Sequence, residues 1–402
     1  MPTVLLIGTL DTKGDEFAFV QELIHANGCR TLVMDAGVMD EPAFAPDIPA
    51  AAVAEAGGTA LEALRAEGDR GRAIEVMLRG VRRLTLDLFE AGRIDGVLGL
   101  GGGGGTNIAT AAMRALPVGV PKLMVSTVVA ADVRPYIDIK DVTLMYSVVD
   151  IAGINRISRR VLANAAGAIS GMVRQALPPG DDRPLIAASM FGVTTPCVTA
   201  LRQRLEREGY EVLVFHANGS GGRAMESLIR DGFIAGVADV TTTEWCDELV
   251  GGMLSAGPER LDAAGQAGIP QVVSVGALDM VNFHARATVP DRFRDRTLYV
   301  HNPNVTLMRT TPEENRRLGE VIANKLNAAA GPVCLMLPLR GVSTIDAPGQ
   351  PFYDPAADAA LFDALRAGVL PHVALRELDV HINDPVFAEA LADELLARLH
   401  AS

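Results

Sequence analysis

Five consecutive glycines, Gly101, Gly102, Gly103, Gly104 and Gly105, followed by Thr106 and Asn107, stand directly after the apolar run Val97–Leu100 and open an alanine-rich segment. With no Cβ at these positions, backbone N–H groups approach an anion unobstructed, and the N-terminus of the following helix adds free donors and partial positive charge. The pattern suits phosphate or carboxylate binding; the alternative is a tight turn needed for close packing. Gly99, Gly101 and Gly104 satisfy G-x-G-x-x-G, but a glycine run makes that match nearly automatic. The acid expected about twenty residues on is missing and the motif is not in the first strand-to-helix turn, which disfavours a dinucleotide site.

A second candidate is Gly8-Thr9-Leu10-Asp11-Thr12-Lys13-Gly14, after the apolar run Val4–Ile7. Ligands in open α/β sheets bind beyond the carboxyl ends of strands, so this loop and the glycine loop are expected to face one pocket. Lys13 would neutralise a phosphate, Thr9 and Thr12 would donate hydroxyls, and Asp11 would hold a magnesium-bound water. The order is not that of a Walker A loop, and the competing reading is an exposed turn with Thr12 capping a helix. Ser126 and Thr127 follow another apolar run and offer hydroxyls either to the same pocket or to local backbone.

In the second half of the chain, Asp239-Val240-Thr241-Thr242-Thr243-Glu244-Trp245 stands where the glycine loop would recur, with hydroxyls and acids in place of glycines. His216 precedes a second glycine-rich turn, Ala217–Gly222, suited to cradle an anionic group. His216 with Glu244 or Asp247 would form an acid/base pair; a hydrogen-bonded structural histidine is the competing reading. The long polar loop Gly341–Gln350 would bring Arg340, Ser343 and Asp346 to a ligand, or is an ordinary surface excursion. There is no H-E-x-x-H or G-x-S-x-G, and the four cysteines (Cys29, Cys197, Cys246, Cys334) lie at no metal-binding spacing. Reduced thiols in a cytoplasmic protein are expected.

Positioning these loops takes a chain of 402 residues, ample for two domains, with 49% hydrophobic and 21% charged residues, so a packed core rather than disorder is expected. Lys plus Arg total 36 against 49 Asp plus Glu, a net charge of −13. Nucleic-acid binding, which needs a basic surface, is not expected. Neither of the longest charge-free runs, Gly96–Met113 and Pro184–Leu201, has the sustained apolarity of a membrane span, so no membrane partner is expected either.

Short β-rich runs alternate with helical periodicity, which predicts α/β with mostly parallel sheets. Strands are expected at Val4–Ile7, Thr31–Met34, Val97–Leu100 and Leu123–Val125, and helices at Asp15–Ala26, Arg72–Glu90 and Ile154–Ala176. Leu177-Pro178-Pro179-Gly180-Asp181-Asp182-Arg183-Pro184 reads as a linker, after which the pattern restarts. Gly209–Ala217 mirrors Gly28–Ala36, Ile234–Val237 echoes Ile94–Val97, and Gly268–Ser274 echoes Gly119–Val125, in the same order. Two Rossmann-like lobes are therefore expected, residues 1–178 and 184–402, each a mostly parallel sheet flanked by helices, with a ligand cleft between them. Thr311-Pro312-Glu313-Glu314 carries the signature of a capped helix start.

Together, Gly8–Gly14, Gly99–Asn107 and the run Tyr146-Ser147-Val148-Val149-Asp150-Ile151-Ala152-Gly153-Ile154-Asn155 resemble the family typified by the ATP-binding domain of the tomato mosaic virus resistance protein, over almost the whole chain. The resemblance implies a two-lobed α/β protein that binds ATP, with magnesium, and self-associates as a homodimer. It places nucleotide contacts on Thr9, Asp11, Thr12, Lys13 and Gly101–Asn107. In the plant protein a barrel-like domain follows, so the resemblance also implies a separately encoded barrel-like partner. The function expected is ATP binding together with a small anionic metabolite. The rivals are an ATP-independent enzyme acting on a phosphorylated or carboxylate metabolite through His216 and Glu244, and a scaffold whose nucleotide gates partner binding.

Overall fold

The computed structural model describes residues 1–401; Ser402 lies outside the described residues. The chain divides into two compact units, Met1–Pro179 and the remainder from Gly180.

The first unit is built on strands β1 (Thr3–Gly8), β2 (Arg30–Asp35), β3 (Gly96–Gly101), β4 (Lys122–Ser126) and β5 (Thr143–Tyr146). They run parallel in the order β2-β1-β3-β4-β5. Strands β1, β3 and β4 are buried along their whole length, as expected where helices cover both faces of a parallel sheet. The side-chain period of two divides them between two layers. Leu5, Ile7, Val97 and Met124 meet Val76, Met77 and Val81 on one face. Val4, Leu6, Leu98 and Val125 meet Phe17, Val20 and Leu162 on the other.

The helices that position the site are α1 (Leu10–Ala26), α2 (Ala50–Ala56), α3 (Leu61–Glu67), α4 (Arg70–Glu90) and α5 (Gly103–Ala115). Helix α1 begins earlier than the expected Asp15 because its first turn, from Leu10, joins the rest across a break at Lys13 (φ −131°, ψ 19°). The helix expected from Ile154 starts only at Ser158, since the Asn155 side chain accepts from the Ile157 and Ser158 amides and holds the preceding residues in a turn. The short helices α2 and α3 had no clear periodic signal.

The second unit contains β6 (Leu185–Met190), β7 (Glu211–His216), β8 (Ile234–Thr241), β9 (Gln271–Gly276), β10 (Met280–Phe283), β11 (Leu298–Asn302), β12 (Val305–Arg309), β13 (Val333–Pro338) and β14 (Val373–Leu378). Six of them form the parallel order β14-β13-β9-β8-β6-β7. Counted from its own first strand, the order reads 2-1-3-4-5-6, so the first five positions repeat the 2-1-3-4-5 of the first unit. The three sequence echoes fall on topologically equivalent pairs: β2 with β7, β3 with β8, β4 with β9. A small antiparallel sheet, β10-β12-β11, was not anticipated; β11 is largely exposed and shows no apolar alternation to betray it. The helix Pro312–Asn327 starts with the expected capping box between Thr311 and Glu314.

Candidate functional site

In the order 2-1-3-4-5, the chain leaves β1 toward β2 on one side and later enters β3 on the other, which opens a crevice at the carboxyl ends of β1 and β3 where ligands bind in such folds. A cavity of about 520 Å³ occupies this place, lined by Thr9, Asp11, Thr12 and Lys13 after β1 and by Gly101–Gly105 after β3. Its volume lies within the range of small-molecule sites.

The five glycines have different tasks. A Cβ on Gly101 would lie 2.9 Å from the Cα of Gly105, so glycine here permits the turn itself. At Gly103 a Cβ would meet nothing, and at Gly104 only the guanidinium of Arg70, 4.0 Å away. These two backbones face open space. Helix α5 starts at Gly103 with no side-chain cap, and its first backbone bond inside the turn is Thr106 N–H to Gly102 carbonyl. The amides of Gly103, Gly104 and Gly105, which have no acceptor within the helix, are left as its free first-turn donors.

Asp35, at the end of β2, holds the other loop: its Oδ1 accepts from the amides of Leu10 (3.0 Å) and Gly37 (2.8 Å). Burial pushes this carboxyl above the usual carboxylate range. The Thr9 and Thr12 hydroxyls bond each other at 2.8 Å. Asp11 is tied to the neighbouring loop, its Oδ2 accepting from Met39 N–H (3.2 Å) and Asp40 N–H (3.4 Å). The Oδ1 atom of Asp11 is buried without a hydrogen-bond partner.

Sequence reasoning missed the other wall. Helices α3 and α4 contribute Leu64, Arg65, Arg70, Ala73, Ile74 and Met77, and Val38 and Met39 follow β2. The cavity therefore has a polar end of amides, hydroxyls and cations and an apolar remainder. The wall was illegible because α3 shows no strong pattern and because the inward facing of α4 is decided by what it packs against.

Thr106 and Ser126 are not in the cavity lining. Both are buried, and their hydroxyls bond each other at 2.6 Å beneath the glycine loop. Thr127 lies next to Gly102, its Oγ1 3.6 Å from the position of a Cβ there, and neither Thr127 nor Asn107 is in the lining. The Thr106 hydroxyl also reaches the Gly101 carbonyl at 3.4 Å, so Thr106 ties the loop to Ser126.

The second unit treats its glycine-rich turn differently. The amides of Gly219 (2.7 Å) and Gly222 (3.1 Å) donate to Oε1 of Glu244, so the turn already holds an anion, supplied by the chain itself. The other oxygen of Glu244 accepts from Arg260 Nε at 2.7 Å. Arg260 is fully buried and also engages Asp239 (Nη2 to Oδ1, 2.6 Å) and Glu226 (3.3 Å). Burial pushes the Glu226 carboxyl up against the opposing pull of Arg260. His216 is exposed and stacks on Phe191 with ring centroids 5.1 Å apart. Among the described residues no hydrogen bond joins His216 to Glu244 or Asp247. Asp247 is instead bound to Asn282 through the latter's backbone N–H (2.9 Å) and side-chain amide (2.8 Å), and burial pushes its carboxyl up to about 7.

The loop after β13 follows the same logic. Ser343 and Asp346 are fully buried, with Ser343 Oγ donating to Asp279 at 2.7 Å. Arg309 sits among Asp279, Asp346 and Asp358, donating to Asp358 Oδ1 at 2.6 Å. Burial, with the neighbouring carboxylates, pushes Asp279 and Asp358 up to about 7. Arg340 stays on the surface, paired with Asp379. Among the described residues no cluster of metal-ligating side chains occurs, and no helix is long and apolar enough to cross a membrane.

Residues 2–178 match the N-terminal domain, and residues 183–399 the C-terminal domain, of UPF0261, described as an uncharacterised protein family. A UPF0261 protein of Clostridium tetani (strain Massachusetts / E88) is 53% identical over 395 residues, 98% of each chain. The ToMV resistance protein Tm-1(GCR237) of Solanum lycopersicum is 42% identical over 98% of this chain, which spans 55% of that protein. Among solved structures, MurG of Acinetobacter baumannii aligns over 99% of this chain and 100% of its own at 11% identity, with a TM-score of 0.23, too low to carry an argument.

Proposed function

We propose that this chain, which belongs to the uncharacterised protein family UPF0261, binds ATP with magnesium in the cavity between the carboxyl ends of β1 and β3. The observation that carries this reading is the open glycine nest at the amino terminus of α5. Its amides are free, no side chain fills it, and Lys13 stands in the same lining with a side chain that makes no hydrogen bond or ion pair among the described residues. The corresponding turn of the second unit holds the Glu244 carboxylate; in the first unit an external anion takes that role.

The apolar remainder of the cavity favours a nucleotide over a bare phosphate or a sugar phosphate, since a planar base removes apolar wall from water and a sugar does not. The identity of the base as adenine comes from the family resemblance. Magnesium would be held chiefly by the phosphates, with Asp11 of the cavity lining holding a magnesium-bound water. A small anionic metabolite as second ligand, self-association as a homodimer and a separately encoded barrel-like partner belong to the same reading. The alternative of an ATP-independent enzyme acting through His216 and Glu244 is weaker, because Glu244 already serves two amides and a buried guanidinium.

Titration calorimetry with ATP, ADP and a sugar phosphate, each with magnesium, tests the proposal. Saturable binding of ATP is expected; binding of the sugar phosphate alone would remove it.

A further inference from the structure

The first unit holds a cation that the sequence reading did not single out. Arg70 is the first residue of α4, and its Nη2 lies 4.0 Å from where a Cβ of Gly104 would stand, beside the second residue of α5. The preceding residue, Asp69, caps α4 by accepting from the amides of Gly71 (2.8 Å) and Arg72 (3.1 Å), which fixes the turn that presents Arg70 to the cavity.

The cavity lining holds three cations, Lys13, Arg65 and Arg70, in a chain of net charge −13. Arg72 pairs with Glu67 at 2.9 Å, and Arg65 donates to the Val38 carbonyl at 2.7 Å. Among the described residues, the side chains of Arg70 and Lys13, both in the cavity lining, make no hydrogen bond or ion pair. Two acids also line the cavity, Asp11 and Asp69; one oxygen of each accepts from backbone amides, and Oδ1 of Asp11 is buried without a partner. The donors left without a partner here are the first-turn amides of α5 and the side chains of Lys13 and Arg70. An anion entering the hollow would meet all three.

We infer that Arg70 reads the length of the phosphate chain and makes the cavity selective for polyphosphates over monophosphates; this rests on the anion-binding reading of the same cavity. The free amides of α5 suffice for one phosphate group. A planar guanidinium beside them offers two more donors in the fork that suits phosphate oxygens, and only a longer chain supplies the extra oxygens and charge. Arg70 also shares α4 with Ala73, Ile74 and Met77 of the apolar wall. One helix would thus present a cation to the phosphate tail and a surface to the base.

The test compares wild type, Arg70→Gln and Arg70→Lys by calorimetry with ATP, ADP, AMP and inorganic tripolyphosphate, all with magnesium. Arg70 is exposed, so the variants are expected to fold, and circular dichroism checks this. Arg70→Gln is expected to weaken ATP and tripolyphosphate by about 10–100-fold, ADP less, and AMP by no more than about twofold. Arg70→Lys should fall between, because it restores charge without the fork. An ATP-to-AMP affinity ratio unchanged in Arg70→Gln overturns the inference. If wild type binds tripolyphosphate but no nucleotide, and Arg70→Gln loses it, the nucleotide reading fails while the role of Arg70 stands. Binding of neither probe removes both.

Discussion

Glycine at two positions of one loop does opposite things here, and the difference is measurable. Gly101→Ala would drive a Cβ to within 2.9 Å of the Gly105 backbone, a clash that cannot be relieved by a rotamer change. A loss of about 1–3 kcal/mol of stability is expected in denaturant titration. Gly104→Leu meets open space, so the melting transition should hardly move while nucleotide binding is blocked sterically. Loss of binding with Gly101→Ala only, and none with Gly104→Leu, would place the ligand elsewhere. Lys13→Ala should cost about 1–3 kcal/mol of ATP affinity through one lost charged hydrogen bond; unchanged affinity would remove Lys13 from the site. The chemistry of these residues was plain from their types. Their division into turn-forming and ligand-facing positions was not, because it depends on which backbone atoms lie across a turn.

Among the elements, the instructive comparison is between the two strand-to-helix turns rich in glycine. Both have amides able to hold an anion, and only the turn after β7 meets a carboxylate of its own chain, from the segment after β8. Glu244 shares Arg260 with Asp239 and Glu226, so Arg260 pins three segments. Arg260→Met leaves three buried carboxylates around a neutral side chain. It should destabilise the second unit by about 3–5 kcal/mol, seen as a lower denaturant midpoint; a shift of under about 1 kcal/mol would mean the acids take up protons without penalty. Arg260 lies in a stretch with no motif, and nothing in its neighbours along the chain announces three acidic partners. Helix caps are the contrary case, since Thr311 and Glu314 act within one turn and were read from spacing alone.

Across the whole molecule, Asp247, Asp279 and Asp358 have carboxyls raised from an ordinary 3.8 to about 7, with burial the largest cause. A folded state that holds protons more tightly than the unfolded chain is favoured by them below the unfolded value. That contribution is lost as pH rises through the folded one. Global stability is therefore expected to carry a declining component between about pH 4 and pH 7, and Asp279→Asn should flatten it. A stability profile over that range identical in wild type and Asp279→Asn would contradict the assignment. The units also have separate apolar cores, so proteolysis between Pro178 and Pro184 should release two fragments that each melt cooperatively. Fragments that unfold on cleavage would show otherwise.

Local chemistry and repetition along the chain were enough to read the α/β class, the doubling of the β-α pattern and the two loops that meet after β1 and β3. Those features rest on interactions within a few residues or on periodicity, and both are written in one dimension. Tertiary structure alone decided that α3 and α4 complete the cavity wall, that Arg70 stands over the glycine loop, and that Thr106 and Ser126 turn to each other beneath it. It also decided that Glu244 fills the second turn. Each of these is a contact between segments far apart in the chain, set by sheet order and helix packing, and a side chain's partner across that distance is fixed only when the backbone has folded.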